Sequence, residues 1–289
     1  MSWYFSFPKK STFLRKFRAN PVIRRGNVKN IVSVGILALV VVLSSFVRLD
    51  KRSFYTVRTV VIDAGHGGRD PGTHGKYVKE KDVVLKVALQ LGKTIKDNYP
   101  NVKVYYTRMS DKFVELHDRA GLANRNHADL FISIHCNANP SRNISGTETY
   151  AMGLHTTEGN LDVAKRENSV IYLEDDHEEN YGGFDPDSPM AHILMANYQS
   201  AYLDNSLRFA AKIEKQFQKH AGRKSRGVKQ AGFVVLWKSA MPSVLVEIGF
   251  LSNPVEEKYL QGKTGQTQIA TGIYRAFREY KEEMEAMND

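Results

Sequence analysis

The sequence has a single cysteine, Cys136, so no intramolecular disulfide can brace it even in an oxidising compartment. No internal repeat or low-complexity block interrupts its 289 residues, and a stacked-repeat architecture is not expected. Two further absences divide the chain. The first thirty residues contain no Asp or Glu but eight basic side chains, the first Lys9 and the last Lys29. The seventeen that follow Asn30, IVSVGILALVVVLSSFV, carry no charge at all. Setting those eight cations aside leaves 33 basic residues against 31 acidic ones. The formal charge of +10 therefore belongs to the tail, and no nucleic-acid partner is expected.

An uncharged run of that length lies at the short edge of the roughly 17–25 residues of a spanning helix and exceeds the roughly 7–15 of a secretory core. The cations before it hold the N-terminus in the cytoplasm by the positive-inside rule. The chain thus reads as a basic cytoplasmic tail at 1–30, a transmembrane anchor or signal segment at 31–47, a linker at 48–58 and an exported domain at 59–289. Its partner there is the inner membrane. An uncleaved anchor is favoured because no Ala-x-Ala site follows, although LSS offers a signal peptidase an alternative.

The whole chain has the 42% hydrophobic and 25% charged composition of an ordinary globular protein. VVIDA runs into a glycine-rich turn, and EKDVVLKVALQLGKTIKDNY spaces Val83, Val84, Val87, Leu91 and Ile95 as on one helix face. VKVYYTR, ADLFISIHCNA, GTETYAM, GFVVL and SVLVEIGF read as strands. ELHDRAGLANRN, a long run from about 191 to 220, SNPVEEKYL and a run from about 267 to 284 read as helices. Asn253 and Pro254 stand as N-cap and first residue of the third of these. Such alternation predicts an α/β fold with helices on both faces of the sheet. The stretch at about 157–190, acidic and broken by Gly and Pro, supplies no strand and reads as an insertion of the kind that often serves as a lid.

Two strands end in histidine, His66 in IDAGHGG and His135 in FISIHCNA. Strand ends in parallel sheets converge on one edge, so these two can meet although 69 positions separate them. Glu80, fourteen residues after His66, is carried back by a loop containing four glycines. Two histidines and a carboxylate form a catalytic zinc set with one coordination position left for water. Glu247 ends an apolar strand, where a charge is costly unless it is paired or working. Beside such a site it can act as general base and then acid. Cys136 alternates with His135 along its strand and is expected to point away into the core. His74, in the glycine-rich loop, reads either as a substrate contact or as a solvated side chain.

IDAGHGGRDPGTHG, EKDVVLKVA, TR with a following Asp, HADLFISIHCNA, GTETY and MPSVLVEIGFLSNPVEEKYL together resemble the zinc-dependent N-acetylmuramoyl-L-alanine amidases of the cell-wall type 3 family. The resemblance implies a twisted mixed β-sheet flanked by helices, Zn2+ held by His66, Glu80 and His135, and Glu247 as the catalytic glutamate. It implies peptidoglycan as substrate, cut between the lactyl group of muramic acid and L-alanine during wall remodelling or daughter-cell separation. Asp63 and Arg119 are expected to brace the site, and Asn137 to touch substrate or support a ligand. In cell-division amidases of this type an inserted helix can block the zinc with a glutamate until an activator protein removes it. By that resemblance Glu167 and Glu174 are the acids of the insertion expected to reach the metal. A wall-binding protein with little turnover, or a zinc hydrolase of another amide, remain open as different readings, because fold and metal do not set substrate.

Overall fold

The computed structural model describes residues 56–196 and 201–287. The tail, the membrane segment and most of the linker expected from the sequence lie outside the described residues. No described helix is long and apolar enough to cross a membrane.

Six strands, β1 (Thr59–Ala64), β2 (Lys103–Tyr106), β3 (Leu130–Asn137), β4 (Thr147–Met152), β5 (Ser225–Ala231) and β6 (Ser243–Phe250), form one sheet in the order β2-β1-β3-β6-β4-β5. The described helices are α1 (Glu80–Asn98), α2 (Leu116–Arg125), α3 (Glu158–Asn168), α4 (His177–Tyr181), α5 (Pro189–Ala196), α6 (Leu203–His220), α7 (Pro254–Gln261) and α8 (Lys263–Ala286). All neighbouring strands are parallel except β4 and β6, so the sheet is mixed, as expected.

The central strands bury both faces, which is why their sequences are nearly continuous apolar runs. Val60, Ile62, Leu130, Ile132, Val244 and Val246 share one core with Val84 and Leu91 of α1, Phe209 and Phe217 of α6, and Ile273 and Phe277 of α8. Alternation sends Val61, Phe131, Tyr150 and Leu245 into a second core with Leu116 and Ala123 of α2. Val163, Val170 and Ile171 of the insertion also join that second core. The insertion supplies no strand, yet it provides a packing layer over this face. Cys136 is fully buried in the first core, opposite His135, as its place in the strand predicts.

Two expectations need correction. GFVVL is not a strand: Val234–Leu236 form a 3-10 turn, and the edge strand is the preceding polar Ser225–Ala231. The three apolar side chains fill the second core instead, while the half-exposed edge strand needs no apolar signature. The run from about 191 to 220 is not one helix in the described residues but α5 and α6, with 197–200 undescribed. The N-cap reading of Asn253 holds, since its Oδ1 accepts from the amides of Val255 and Glu256 at 2.9 and 3.2 Å.

Candidate metal and catalytic site

Because β1, β3 and β6 run parallel, their carboxyl ends meet at one edge of the sheet. His135 and Glu247 stand in direct register there. His66 follows β1 in a turn with φ of 58° at His66 itself, 123° at Gly67 and 57° at Gly68. A positive φ on histidine is uncommon, and here it swings the ring from the end of β1 towards His135. At Gly65 an added Cβ would run into the His135 ring. At Gly72, where φ is 66°, it would meet Glu80 Oε2 and His66 Cδ2, both at 2.6 Å. Both positions require glycine for close approach.

The loop then returns to start α1 with Glu80, a fully buried carboxylate. Glu80 Oε2 accepts from Thr73 N at 2.8 Å, and Oε1 accepts from Cys136 N at 2.7 Å. These bonds aim Oε1 between the two rings, 3.0 Å from His66 Nε2 and 3.2 Å from His135 Nδ1. The two ring nitrogens are 3.2 Å apart. Glu167, from α3 of the insertion, completes the group: its Oε2 lies 3.2 Å from His66 Nε2 and 2.9 Å from His135 Nδ1.

This arrangement fits a metal ion. A tetrahedral ion with ligand bonds of about 2.0–2.1 Å holds its donors roughly 3.3 Å apart, and the five donor separations just given fall between 2.9 and 3.2 Å. Glu167 Oε2 is buried and makes no hydrogen bond despite this proximity. His66, Glu80, His135 and Glu167 are thus four buried residues able to hold one cation.

Electrostatics follow from packing opposite charges in a dry place. Burial would discharge both imidazoles, but the carboxylates of Glu80, Asp70 and Glu167 lift His66 well above the ordinary range, and Glu167 and Glu80 lift His135 to about 9. Burial would raise the carboxyl of Glu80, yet His66 pulls it down to about 2. Glu247 goes the other way. Burial first, and then the charge of Glu167, push it well above the carboxylate range against the pull of Arg166. Neither of its oxygens has a hydrogen-bond partner among the described residues, and Arg166 Nη2 stands 3.5 Å from Oε1.

Asp63, Arg119 and Asn137, singled out in the sequence, all lie close to the cluster. Asp63 is fully buried and accepts from Arg119 Nη1 at 2.9 Å, Thr107 Oγ1 at 2.6 Å and Ser133 Oγ at 2.6 Å. Burial opposes its ionisation, but Arg119 and the two hydroxyls hold it below the usual range. Arg119 also donates to the carbonyls of Ala64 and His66, tying α2 to the turn that presents His66. Asn137 Nδ2 donates to Glu148 Oε2 at 3.1 Å, and its Oδ1 accepts from Arg166 Nη2 at 3.2 Å. Of the two insertion acids, only Glu167 joins the cluster. The 3-10 segment Ser169–Leu173 turns the chain away, and Glu174 accepts from Leu116 N at 2.7 Å and from Tyr181 Oη at 2.5 Å. It falls in a separate group with Glu115 and His117.

Comparison with known proteins now bears on this geometry. The family model described as N-acetylmuramoyl-L-alanine amidase, Amidase_3, matches residues 60–279. The chain belongs to the Amidase_3 family. It is 35% identical over 224 residues to the N-acetylmuramoyl-L-alanine amidase AmiC of Escherichia coli O6:H1, covering 76% of this chain and 52% of AmiC. It is 33% identical over 219 residues to AmiA of Escherichia coli K12, covering 75% of this chain and 73% of AmiA. The chain thus spans about half the length of the first relative and about three-quarters of the second. The crystal structure of the N-acetylmuramoyl-L-alanine amidase from Clostridium difficile 630 superposes with a TM-score of 0.59 at 27% identity, over 78% of this chain and 98% of that one.

Several residues of this Amidase_3 chain carry weight that their sequence positions did not reveal. Asp70 Oδ2 is 2.7 Å from His66 Nδ1, the carboxylate–imidazole pairing that orients a metal-binding ring; its only signal was an acid four residues after the histidine. Arg108 donates to the carbonyls of Ala64, Gly65 and Lys81 and clamps the same loop. Glu148 faces Glu247 in the antiparallel register and is held by Arg226, Lys229 and Tyr150 at 2.6, 2.7 and 2.8 Å. Glu256 and Glu257 lie in the first turn of α7 and also reach out of it, Glu256 accepting from Gly146 N and Glu257 from the amides of Tyr77 and Val78.

Proposed function

We propose that this chain is a zinc-dependent peptidoglycan amidase that hydrolyses the bond between the lactyl group of N-acetylmuramic acid and L-alanine, and that its own insertion restrains it. The observation that carries the reading is the set of buried donors at tetrahedral spacing. In it, His66, Glu80 and His135 hold the ion. Zinc bound there supplies Lewis acidity and makes water nucleophilic near neutral pH.

Glu247 does the proton work. A buried carboxyl in register with His135, its oxygens free of hydrogen-bond partners among the described residues, is placed to take a proton from the attacking water and return it to the departing nitrogen. The water oxygen bonds to the lactyl carbonyl carbon, the C–N bond breaks, and the nitrogen leaves as the free amine of L-alanine. Asp70 and Asp63, the latter through Arg119, keep the His66 turn in place during this exchange.

The restraint rests on two adjacent side chains. Glu167 fills the donor position that hydrolysis requires to be open, and Arg166 lies against Glu247. Lifting the segment would expose Val163, Val170 and Ile171, at about 1.5–3 kcal/mol each. Spontaneous opening on that scale populates well under roughly one molecule in a thousand. A partner that binds the open form is therefore part of the proposal. So are the tail, the segment at 31–47 and the linker at 48–58, as the parts that export the enzyme and hold it at the outer face of the cytoplasmic membrane for wall remodelling.

The test is release of soluble muropeptides from purified peptidoglycan by the Glu167→Ala variant, with and without a chelator. Chelator-sensitive release restored by zinc supports the reading; release indifferent to chelation refutes it.

A further inference from the structure

Beside the cluster, and separate from it, lies a second recess. The loop from Gly72 has two sides. Gly72 and Thr73 line the cleft shared by His66, Asp70 and the insertion, while His74, Gly75 and Lys76 line a cavity of about 730 Å³ on the other side. That volume lies within the roughly 300–1,000 Å³ of sites that take small molecules or short peptides. Its floor comes from the chain just beyond the two central strands: Asn139 is four residues past His135, and Ser252 five past Glu247. Asn139 N donates to Ser252 Oγ at 2.9 Å, and Leu251 N donates to Asn137 O at 2.9 Å. The wall of the recess is thus bonded directly to the strand ends that present the catalytic side chains.

The recess is cationic. Lys76, Arg142 and Lys258 line it, and none of the three forms an ion pair among the described residues. Its single acid, Glu257, turns Oε1 to the amides of Tyr77 and Val78 at 2.5 and 3.1 Å, so three cations face one anion in the lining and the balance stays positive. Tyr77, 71% exposed, stands at the rim with Lys76 Nζ 5.0 Å from its ring centroid. The two limbs of the substrate differ in charge: the N-acetylated sugars are neutral, whereas the peptide limb ends in free carboxylate. Unpaired cations around a recess beside the scissile bond select the charged limb.

We propose that this recess binds the carboxylate-bearing part of the stem peptide through Lys76, Arg142 and Lys258, and so sets the preference of the enzyme for acidic over amidated stems. The inference rests on the amidase reading above. It also gives His74 a place at the substrate rather than in free solvent.

Two measurements on the zinc-loaded full chain carrying Glu167→Ala test it. The first compares kcat/KM for two muropeptides that share sugars and sequence, one with free stem carboxylates and one with those carboxylates amidated. The triple variant Lys76→Gln/Arg142→Gln/Lys258→Gln is expected to lose about tenfold on the acidic substrate, as three exposed ion pairs of ordinary strength would give. The loss falls in KM with kcat within about twofold, and the amidated substrate is turned over as before. Equal losses on both substrates, or none on either, overturn the proposal. The second titrates a free acidic stem peptide into the same proteins by calorimetry and needs no turnover. Weaker binding by the triple variant supports the recess even if neither muropeptide is cut, an outcome that would instead refute the amidase reading. Unchanged binding overturns the recess whatever the turnover shows.

Discussion

Asp70→Asn is a one-atom change whose effect the geometry allows to be worked out. Asp70 uses both oxygens: Oδ2 holds His66 Nδ1 at 2.7 Å, and Oδ1 accepts from Gly72 N at 3.0 Å. An asparagine must turn its amide nitrogen to one of these partners. If it faces the ring, a donor meets Nδ1 and the imidazole proton is driven to Nε2, the atom that lies among the metal donors. If it faces Gly72, two N–H groups oppose each other. Either choice costs the ring its orientation or the loop its hydrogen bond. Loss of such a supporting carboxylate lowers metal affinity roughly 10- to 100-fold, or about 1.4–2.7 kcal/mol. The assay is competition for zinc between the protein and a chromophoric chelator. Cys136→Ala serves as the control, because Cys136 is buried in the opposite core and its loss is expected to leave the affinity alone. Zinc affinity of Asp70→Asn within about twofold of the wild type would refute the assignment of His66 as a ligand oriented through Nδ1.

Three other outcomes follow from the same structure. Arg119→Met removes the cation from a pair that is buried on both sides, and is expected to cost about 3–5 kcal/mol in denaturant unfolding, part of which returns when Asp63→Asn is added; a loss below about 1 kcal/mol would contradict the bracing role. Glu167→Ala is expected to raise muropeptide release at least about tenfold without any partner, and an unchanged rate would rule out Glu167 as the restraint. Glu148 is held below its ordinary 4.5 because Lys229 and Arg226 outweigh the effect of burial. Its folded value is depressed, so it adds stability that is complete above pH 4.5 and lost as the pH falls through the folded value. Acid unfolding monitored by circular dichroism is expected to shift to lower sensitivity in Glu148→Gln, and identical acid limbs would refute this.

What the sequence made legible divides along a physical line. His66 and His135 stand just beyond or near the ends of apolar strands, whereas Glu247, expected to end its strand, is the fifth of the eight residues of β6 and was legible as an acid interrupting an apolar run. The carboxyl edge of a parallel sheet then brings them together. Glu80 was legible for the same reason, since it opens the first periodic helix. Cys136 followed from alternation alone. The failures lie where position depends on tertiary packing. Val234, Val235 and Leu236 are apolar and β-branched in part, yet they serve the second core as a turn, while the polar β5 pairs at the edge. Asp70 works because His66 adopts a positive φ, which nothing in its neighbours demands. Glu167 and Glu174 are equally acidic in sequence, and only the turn between them decides that the first reaches the cluster while the second caps α2.

The central claim is the identity of the bond cut. Mass spectrometry of peptidoglycan digested by the zinc-loaded Glu167→Ala protein tests it most directly. The account predicts free stem peptides beginning with L-alanine together with glycan strands bearing intact lactyl groups, and neither product when Glu247→Gln is added. Products that retain the sugar–peptide link, cut elsewhere in the stem or in the glycan, would contradict it.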